Sequence, residues 1–335
     1  MRLSDLGEFG FLARVQADLP TKLPGVILGS GDDAAALAVS ADQHLLLSTD
    51  AMVEGRHFRR DWLSPEQIGE RAVRAALSDL AAMGGRPRGV FASLALPPDL
   101  EAEFAQGLMA GMESAAATYG AHVLGGDVVS SPGPIFVDVV VVGEAATLWT
   151  RAGAEPGDLV LVSGDLGRSA AALALLGAGQ PLEALPPDLA QRFARPEPAF
   201  DVVAALAPLG LVSAALDLSD GLLADAGHLA EQSGVELVID SARVPVAEAT
   251  RAAAAALGRD LVEMALTSGE EYELLLTIPL DALGQVQEAV AGGAARALTV
   301  IGQVVAGEGV VLDGQPVRGG GWDHFTSSGP AARPA

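Results

Sequence analysis

The chain of 335 residues contains no cysteine. This absence excludes disulfide bonds, thiolate metal sites and cysteine nucleophiles. No apolar run reaches the roughly 18 residues of a membrane-spanning helix without meeting a charge or a helix breaker, so we expect no membrane segment. At the N-terminus, Asp5 and Glu8 interrupt the apolar stretch that a secretory signal needs. We therefore expect a cytoplasmic protein.

Basic residues are scarce as well. Lys and Arg together number 20 against 43 acidic residues, the net charge is −23, and Lys22 is the only lysine. Binding to a nucleic-acid backbone requires a basic surface, so we expect no nucleic-acid partner. The sequence has no GxxxxGK[ST] stretch, which excludes a Walker nucleotide site. Either the acidity serves solubility alone, or a phosphorylated ligand is bound with cations that neutralise part of it.

Aromatic residues make up only 4% of the chain, but half of all residues are hydrophobic, which is ample for a core. The length exceeds the roughly 250 to 300 residues at which single cores stop growing. A polar segment rich in Gly and Pro at 150–158 predicts a domain boundary, with one domain at 1–149 and a second at 150–325. The small, polar tail at 326–335 is predicted to be flexible. Strand-like and helical segments alternate in both parts, which predicts an α/β fold of the α+β type.

The predicted elements follow from periodicity and from start and stop signals. Strands are expected at 44–50, 89–97, 121–127, 135–145, 158–164, 212–218, 235–240, 271–279 and 298–305. Helices are expected at 64–85, 99–120, 167–179 and 220–234. The first of these helices has the clearest signals, because Ser64 is a good N-cap, Gln67 completes a capping box and Gly84 ends the helix.

Carboxylates repeatedly stand where apolar stretches end. The residues concerned are Asp32, Asp33, Asp50, Asp79, Asp127, Asp217 and Asp220, with the hydroxyls of Ser48 and Thr49 beside Asp50. Any one of them could be an ordinary turn or cap residue, or could lie on a partly solvated helix face. As a set, oxygen ligands without cysteine suit a hard cation, magnesium first. Carboxylates gathered without a cation would repel one another and raise their pKa values.

Eight longer motifs follow one another along the chain. They are GSGDDAAAL, LSTDAMVEGRHF, ALSDLAAMGG, LGGD, TRAGAEPGDLVLVSG, LDLSDGLLADAGHLA, SGEEYELLLTI and GWDHF. Their order resembles that found in thiamine-monophosphate kinases. From about residue 7 to residue 325 the chain resembles that family, within the aminoimidazole ribonucleotide synthetase-like superfamily. The resemblance implies a two-domain α/β fold, a homodimer formed by the N-terminal domains, and ATP bound in a cleft. It also implies the conversion of ATP and thiamine phosphate to ADP and thiamine diphosphate.

The resemblance also implies roles for individual residues. The metal ligands of the family fall on Asp33, Ser48, Thr49, Asp50, Asp79, Asp127, Asp217 and Asp220. The nucleotide contacts fall on Tyr119, Gly126, Asp127, Arg151 and Ser219, and the thiamine-phosphate contacts fall on His57, Glu270 and Trp322. Taken alone, His57 could be structural, Glu270 a solvated turn residue, Trp322 a core aromatic and Arg151 part of a linker salt bridge.

The chemistry of the implied reaction needs no general base. The acceptor phosphate is already largely ionised near neutral pH, because its second pKa is about 6. The obstacle is repulsion between two anions, so positioning and charge neutralisation carry the reaction. We therefore expect direct in-line transfer assisted by several Mg²⁺ ions, with Arg151 as the cation nearest the transferring group.

Two departures from the family pattern stand out, Ala76 in place of a usual Asn and Ser268 before the Glu270 motif. Two alternatives also remain open from the sequence. One is another ATP-dependent enzyme of the same superfamily, such as aminoimidazole ribonucleotide synthetase. The other is a magnesium- or nucleotide-binding module without turnover. An assay of ADP release with different acceptors separates the three.

Overall fold

The computed structural model describes residues 40–267 and 269–317, together with residue 14 and the backbone of two short strands at 26–28 and 36–37. Contacts between Cα atoms divide the chain into two compact units. Within the described residues, the first unit comprises the chain up to Leu80 and Arg86–Ala146, and the second comprises Ala81–Gly85 and everything from Thr147 onward. The predicted sites at Asp32, Asp33 and Trp322, and the departure at Ser268, lie outside the described residues.

The first unit is built on a four-stranded sheet with two long helices. Its elements are β1 Val26–Leu28, β2 Ala36–Leu37, β3 His44–Val53, α1 Pro65–Ala82, β4 Arg86–Leu96, α2 Ala102–Thr118, β5 Val123–Ser130 and β6 Phe136–Ala145. The strand order is β3-β6-β4-β5, with β4 and β5 parallel and the other pairs antiparallel. The parallel pair is connected through α2, as a crossover connection requires.

The start of α1 confirms the predicted capping box. The backbone N–H of Ser64 donates to Gln67 Oε1 at 2.9 Å, and the N–H of Gln67 donates to Ser64 Oγ at 3.3 Å. These two bonds satisfy donors that the first helical turn would otherwise leave open. Beyond the end of the helix, Gly84 has a φ of 70°, a left-handed conformation that suits glycine.

The two helices of the first unit touch backbone to backbone. A Cβ atom built on Gly69 of α1 would lie 2.0 Å from the carbonyl oxygen of Leu108, and one on Gly111 of α2 would lie 2.0 Å from the carbonyl oxygen of Glu66. Only glycine fits at such a distance. The close approach brings the buried side chains of Ile68 and Leu108 into the same core.

The opposite face of this sheet carries several exposed apolar side chains. The exposed fractions of its side chains reach 65% at Leu47, 52% at Val129, 47% at Leu45 and 38% at Phe136. Strand alternation places these residues on the side away from the buried Val139 and Val141. Leu45 and Leu47 lie at one end of this face, and Val129 and Phe136 lie at the other end, beyond a row that contains Asp138, Ser93 and Asp127. Exposed apolar side chains that lie together, such as Leu45 and Leu47, can mark a surface that another protein covers.

The second unit is built on a seven-stranded mixed sheet. Its elements are β7 Leu159–Ser163, α3 Arg168–Gly177, α4 Pro187–Ala194, α5 Phe200–Leu206, β8 Ala214–Asp217, α6 Leu222–Ser233, β9 Glu236–Ile239, α7 Glu248–Leu257, α8 Leu261–Leu266, β10 Leu274–Ile278, α9 Leu283–Gly293, β11 Leu298–Val305, β12 Gly309–Leu312 and β13 Gln315–Pro316. The order is β13-β12-β9-β11-β7-β10-β8, and of these pairs only β12 and β9 run parallel.

Both faces of this sheet are covered, so its strands are apolar on both sides. Val160 and Val162 pack with Leu229 of α6 on one face. Leu161 packs on the other face with Val202 of α5 and Val286 of α9. The mixed helix and strand content predicted from the sequence is therefore confirmed.

Two details of the second unit differ from the prediction. The strand predicted from residue 271 begins only at Leu274, because Glu270 and Tyr272 have φ values of 61° and 53°, which no strand contains. The hairpin of β12 and β13 was not predicted at all. Its turn at Asp313 and Gly314 has positive φ at both residues, as a two-residue hairpin turn requires.

Candidate active site

Two predicted metal ligands of the first unit lie in direct contact. Alternation along β3 places Ser48 on the same side of the sheet as the buried Leu46 and Met52, which is the side of helix α1. Ser48 Oγ donates to Asp79 Oδ2 of α1 at 2.5 Å. Asp50 follows Ser48 by two residues and shares this face. The fold thus brings together residues that are 31 positions apart in the sequence.

Thr49 and Asp127 lie on the other face of the same sheet. Thr49 Oγ1 donates to Asp138 Oδ1 at 2.7 Å, a partner that the sequence did not indicate. Asp127 is exposed, and its Oδ1 accepts from the N–H of Val128 at 2.9 Å. Across the sheet, Asp127 shares a row with Ser93, Asp138 and Ala51, which puts it three strands from β3, roughly 14 Å at about 4.8 Å per strand.

The predicted nucleotide contacts of the first unit have structural partners as well. Tyr119 follows the end of α2, where its hydroxyl accepts from Arg74 NH1 at 2.9 Å, and the guanidinium of Arg74 lies 5.4 Å from the ring centroid. Gly126 of β5 is paired so closely with β4 that an added Cβ would lie 1.9 Å from the carbonyl oxygen of Ala92. Sheet packing alone therefore requires glycine at this position.

His57 lies in the turn after β3. Its Nδ1 accepts from the backbone N–H of Val53 at 3.0 Å. A neutral imidazole that accepts at Nδ1 carries its proton at Nε2, so His57 is set as a hydrogen-bond donor through Nε2. That role fits a ligand with acceptor oxygens.

In the second unit, a group of carboxylates follows strand β8. Asp217 is the last residue of β8 and is buried, and Asp220 stands three residues later. A third carboxylate, Asp225 on the first turn of α6, accepts from the N–H groups of Asp220 at 3.1 Å and Gly221 at 3.0 Å. Burial first, and then the negative charges of Asp217 and Asp220, raise the pKa of Asp225 to about 8.

Asp225 is a residue that sequence reasoning missed, although a signal was present. In LDLSDGLLAD it stands four residues after Gly221, within the first helical turn, where a carboxylate side chain can reach back to open backbone N–H groups. It fixes the turn that carries Asp220. The three carboxylates therefore have different roles. Asp225 caps the turn, and Asp217 and Asp220 add negative charge beside it.

Ser219 and Glu270 lie on adjacent segments. The N–H of Glu270 donates to the carbonyl oxygen of Ser219 at 2.8 Å, and the N–H of Tyr272 donates to that of Leu218 at 2.9 Å. Glu270 and Tyr272 both have left-handed φ values, a conformation that non-glycine residues rarely adopt. The predicted substrate residue Glu270 therefore lies in a strained loop, and such strain is often found at functional sites.

The two glutamates after Glu270 are buried rather than available to a ligand. Glu271 Oε1 accepts from the N–H groups of Gly167 at 3.0 Å and Ser169 at 3.1 Å, at the start of helix α3. Glu273 is fully buried and bonded to Arg192 NH2 at 2.5 Å, Arg296 NH1 at 3.0 Å and Ser163 Oγ at 2.5 Å. Of these three glutamates only Glu270 is partly exposed.

Arg151 is exposed in the segment before β7, and its carbonyl oxygen accepts from Ser233 Oγ at 2.9 Å. Within the residues that the structure describes, no group of three or more His, Asp or Glu side chains is close enough together to hold a metal ion. The ligand assignments of the sequence analysis therefore stay predictions.

Family models and known proteins match most of the length of the chain. The family models for the N-terminal and C-terminal domains of AIR synthase related protein match residues 31–145 and 155–315. The thiamine-monophosphate kinase of Aquifex aeolicus is 37% identical over 326 residues, which cover 97% of this chain and 100% of the relative. That of Escherichia coli strain K12 is 35% identical over 333 residues, covering 96% and 99%.

Solved structures agree with the sequence relatives. AaThiL complexed with AMPPCP and TMP matches with a TM-score of 0.77 at 37% identity, covering 97% of this chain and 99% of that one. Thiamine-monophosphate kinase from Stenotrophomonas maltophilia K279a matches with a TM-score of 0.80 at 33% identity, covering 93% and 98%. Hydrogenase maturation protein HypE, at 23% identity and a TM-score of 0.73, shares the fold. The predicted two-domain α/β fold is confirmed.

Proposed function

The chain belongs to the thiamine-monophosphate kinase family, and from this we propose that it transfers the terminal phosphoryl group of ATP to thiamine phosphate, giving thiamine diphosphate and ADP. The observation that carries the proposal is the 37% identity with the Aquifex aeolicus enzyme over 97% of the chain. The family models cover the wider superfamily, so they do not separate this activity from that of an AIR synthase. The full-length identity with several thiamine-monophosphate kinases favours the kinase.

Side chains of the candidate site would hold the two anionic substrates in position. We propose that Tyr119, Gly126, Asp127, Arg151 and Ser219 bind ATP, and that His57, Glu270 and Trp322 bind thiamine phosphate. His57 donates through Nε2 to acceptor oxygens, and the carboxylate of Glu270 suits the cationic thiazolium ring of the acceptor. The guanidinium of Arg151 stabilises the charge on the transferring group. Because the acceptor oxygen is already ionised, no side chain has to remove a proton.

The donor set fits magnesium. The proposed ligands are Asp33, Ser48, Thr49, Asp50, Asp79, Asp127, Asp217 and Asp220, all of them oxygen donors, which is the chemistry that Mg²⁺ requires. Asp217 and Asp220 place two negative charges beside the buried Asp225, and a bound cation would offset them. When bound, magnesium supplies the charge neutralisation that lets two phosphates approach each other.

We propose further that two copies of the chain pair through the face of the first sheet that carries the exposed apolar side chains. Leu45, Leu47 and Val129 would be covered in such a dimer, which explains why they are exposed in the single chain. Sedimentation analysis of the chain and of Leu47→Glu tests this, since the charge should shift a dimer toward monomer. A monomeric parent protein would refute it.

In the described part of the chain, no helix combines the length and hydropathy needed to cross a bilayer. A cytoplasmic location is our separate proposal. Fractionation of cells that express the full chain would test it.

The activity is tested by measuring ADP release with ATP and thiamine phosphate, thiamine or buffer as the acceptor. We expect turnover only with thiamine phosphate. Asp50→Asn and Asp220→Asn should reduce turnover by orders of magnitude, whereas Asp99→Asn, an exposed carboxylate of the first unit, should leave it unchanged. Trp322→Ala should raise KM for thiamine phosphate far more than KM for ATP. Turnover with another acceptor alone would favour a different enzyme of the superfamily, and ATP binding without any turnover would favour a binding module.

A further inference from the structure

The loop at residues 269–273 is held in a conformation that its sequence does not favour. Two of its residues, Glu270 and Tyr272, have φ values of 61° and 53° although neither is glycine. Each such residue costs on the order of 1 kcal/mol or more and persists only where the surroundings enforce it. Among the described residues, Asp313 alone shares this feature, and it lies in a hairpin turn. The contacts around the loop must therefore supply the restraint.

The restraint acts on both sides of the loop backbone. On one side, the N–H groups of Glu270 and Tyr272 donate to the carbonyl oxygens of Ser219 and Leu218. On the other side, the carbonyl oxygen of Glu271, between the two left-handed residues, accepts from Arg192 NH1 at 3.2 Å. The side chain of Glu271 reaches the start of helix α3 and anchors the same residue a second time.

Arg192 holds this carbonyl from a fixed position. It lies on helix α4, is 8% exposed, and its second guanidinium nitrogen donates to Glu273 Oε1 at 2.5 Å. The planar guanidinium can bond a carbonyl oxygen and a carboxylate at once, whereas a lysine ammonium is a single point charge. Arg296 NH1 donates to the other side-chain oxygen of Glu273 at 3.0 Å. The backbone acceptors of Arg296 are the carbonyl oxygens of Glu197 and Pro198.

We propose that Arg192 is a positioning residue for the acceptor substrate: by fixing the carbonyl oxygen of Glu271, it keeps Glu270 in the left-handed conformation from which the Glu270 carboxylate binds thiamine phosphate. This inference rests on the proposed function, and it adds to it a residue that has no contact with substrate. Arg296 binds the same carboxylate of Glu273 without contacting the 269–272 backbone, so it provides a matched control.

The test compares Arg192→Lys with Arg296→Lys in the full-length chain, measuring KM for both substrates at saturating concentration of the other. We expect Arg192→Lys to raise KM for thiamine phosphate roughly 10-fold or more, as loss of one charged hydrogen bond allows, with KM for ATP unchanged. Arg296→Lys should lower the melting temperature without separating the two KM values. Equal changes in both KM values, or the same split in Arg296→Lys, would overturn the proposal.

A double-substitution experiment tests whether Arg192 acts through Glu270. In a Glu270→Gln background, Arg192→Lys should raise KM for thiamine phosphate no further, because the residue it positions has already lost its charge. Independent, multiplying effects would show that Arg192 does not act through Glu270. If Arg192→Lys fails to fold, Arg192→Gln replaces it, since Glu273 then keeps Arg296 as its cationic partner. The activity of the unmodified chain is measured before that of any variant. If the unmodified chain does not turn over thiamine phosphate, the proposed function itself is refuted.

Discussion

Asp225 provides a quantitative test of the charge that gathers in the second unit. The pKa of Asp225 is about 8 against an ordinary value of 3.8, chiefly because the carboxyl is buried and secondly because Asp217 and Asp220 are negative. Between about pH 4 and pH 8, the folded protein therefore retains a proton on Asp225 that the unfolded chain has already released. Because the folded-state pKa is the raised one, the contribution of Asp225 to the free energy of unfolding is fully present below pH 4. It is lost as the pH rises through 8.

The magnitude follows from the shift. A difference of about four pKa units corresponds to roughly 5 to 6 kcal/mol at about 1.4 kcal/mol per unit, which is an upper limit. Relaxation and water entry reduce such penalties, so we expect a loss of about 2 to 3 kcal/mol between pH 5 and pH 8. Asp225→Asn keeps an oxygen acceptor for the N–H groups of Asp220 and Gly221 but cannot ionise. It should remove most of this pH dependence.

The assay is thermal denaturation in the presence of a chelator at pH 5 and pH 8. We expect Asp225→Asn to be more stable than the parent protein at pH 8, by roughly 5 °C, and similar to it at pH 5. Asp281→Asn, which removes an exposed carboxylate of the same unit, should follow the parent at both pH values. If Asp225→Asn melted earlier than the parent at pH 8, the carboxylate would be stabilising in its ionised form and the reasoning would be refuted.

Three further predictions concern packing, capping and metal. Gly111→Ala should cost about 3 kcal/mol in urea unfolding, because its Cβ would meet the carbonyl oxygen of Glu66, whereas Gly227→Ala, with open space around it, should gain up to about 1 kcal/mol. An unchanged Gly111→Ala midpoint would contradict the helix contact. Ser64→Ala should cost about 1 kcal/mol in the same experiment, since the capping box loses its hydroxyl, and no loss would exclude the cap. EDTA should abolish ADP release and excess Mg²⁺ should restore it; activity that survives chelation would argue against a metal role.

The parts of the fold that were predictable are those that local chemistry decides. The capping box at Ser64 and Gln67 was readable because both residues act within one helical turn. The start of β10 at Leu274 was not, because the left-handed residues before it are in contact with distant parts of the chain. One of these partners, Arg192, lies 79 positions away from Glu271 in the sequence. The secondary-structure propensity of the residues before Leu274 contains no information on a partner so distant in the sequence.

The same distinction applies to the site. The carboxylates could be recognised individually, and the contact between Ser48 and Asp79 is consistent with their selection. Which of them share a face could not be derived, because the row that holds Asp127 and Asp138 depends on the register of three strands. Asp225 lay in the motif itself but was overlooked beside Asp217 and Asp220.

The central claim is that this chain lets two negatively charged molecules exchange a phosphoryl group directly. The most direct measurement is ³¹P NMR of a mixture containing the protein at substrate concentration, ATP, thiamine phosphate and Mg²⁺. We predict that ADP and thiamine diphosphate appear in equal amounts, without release of inorganic phosphate. Consumption of ATP to ADP and inorganic phosphate, with thiamine phosphate unchanged, would contradict the account.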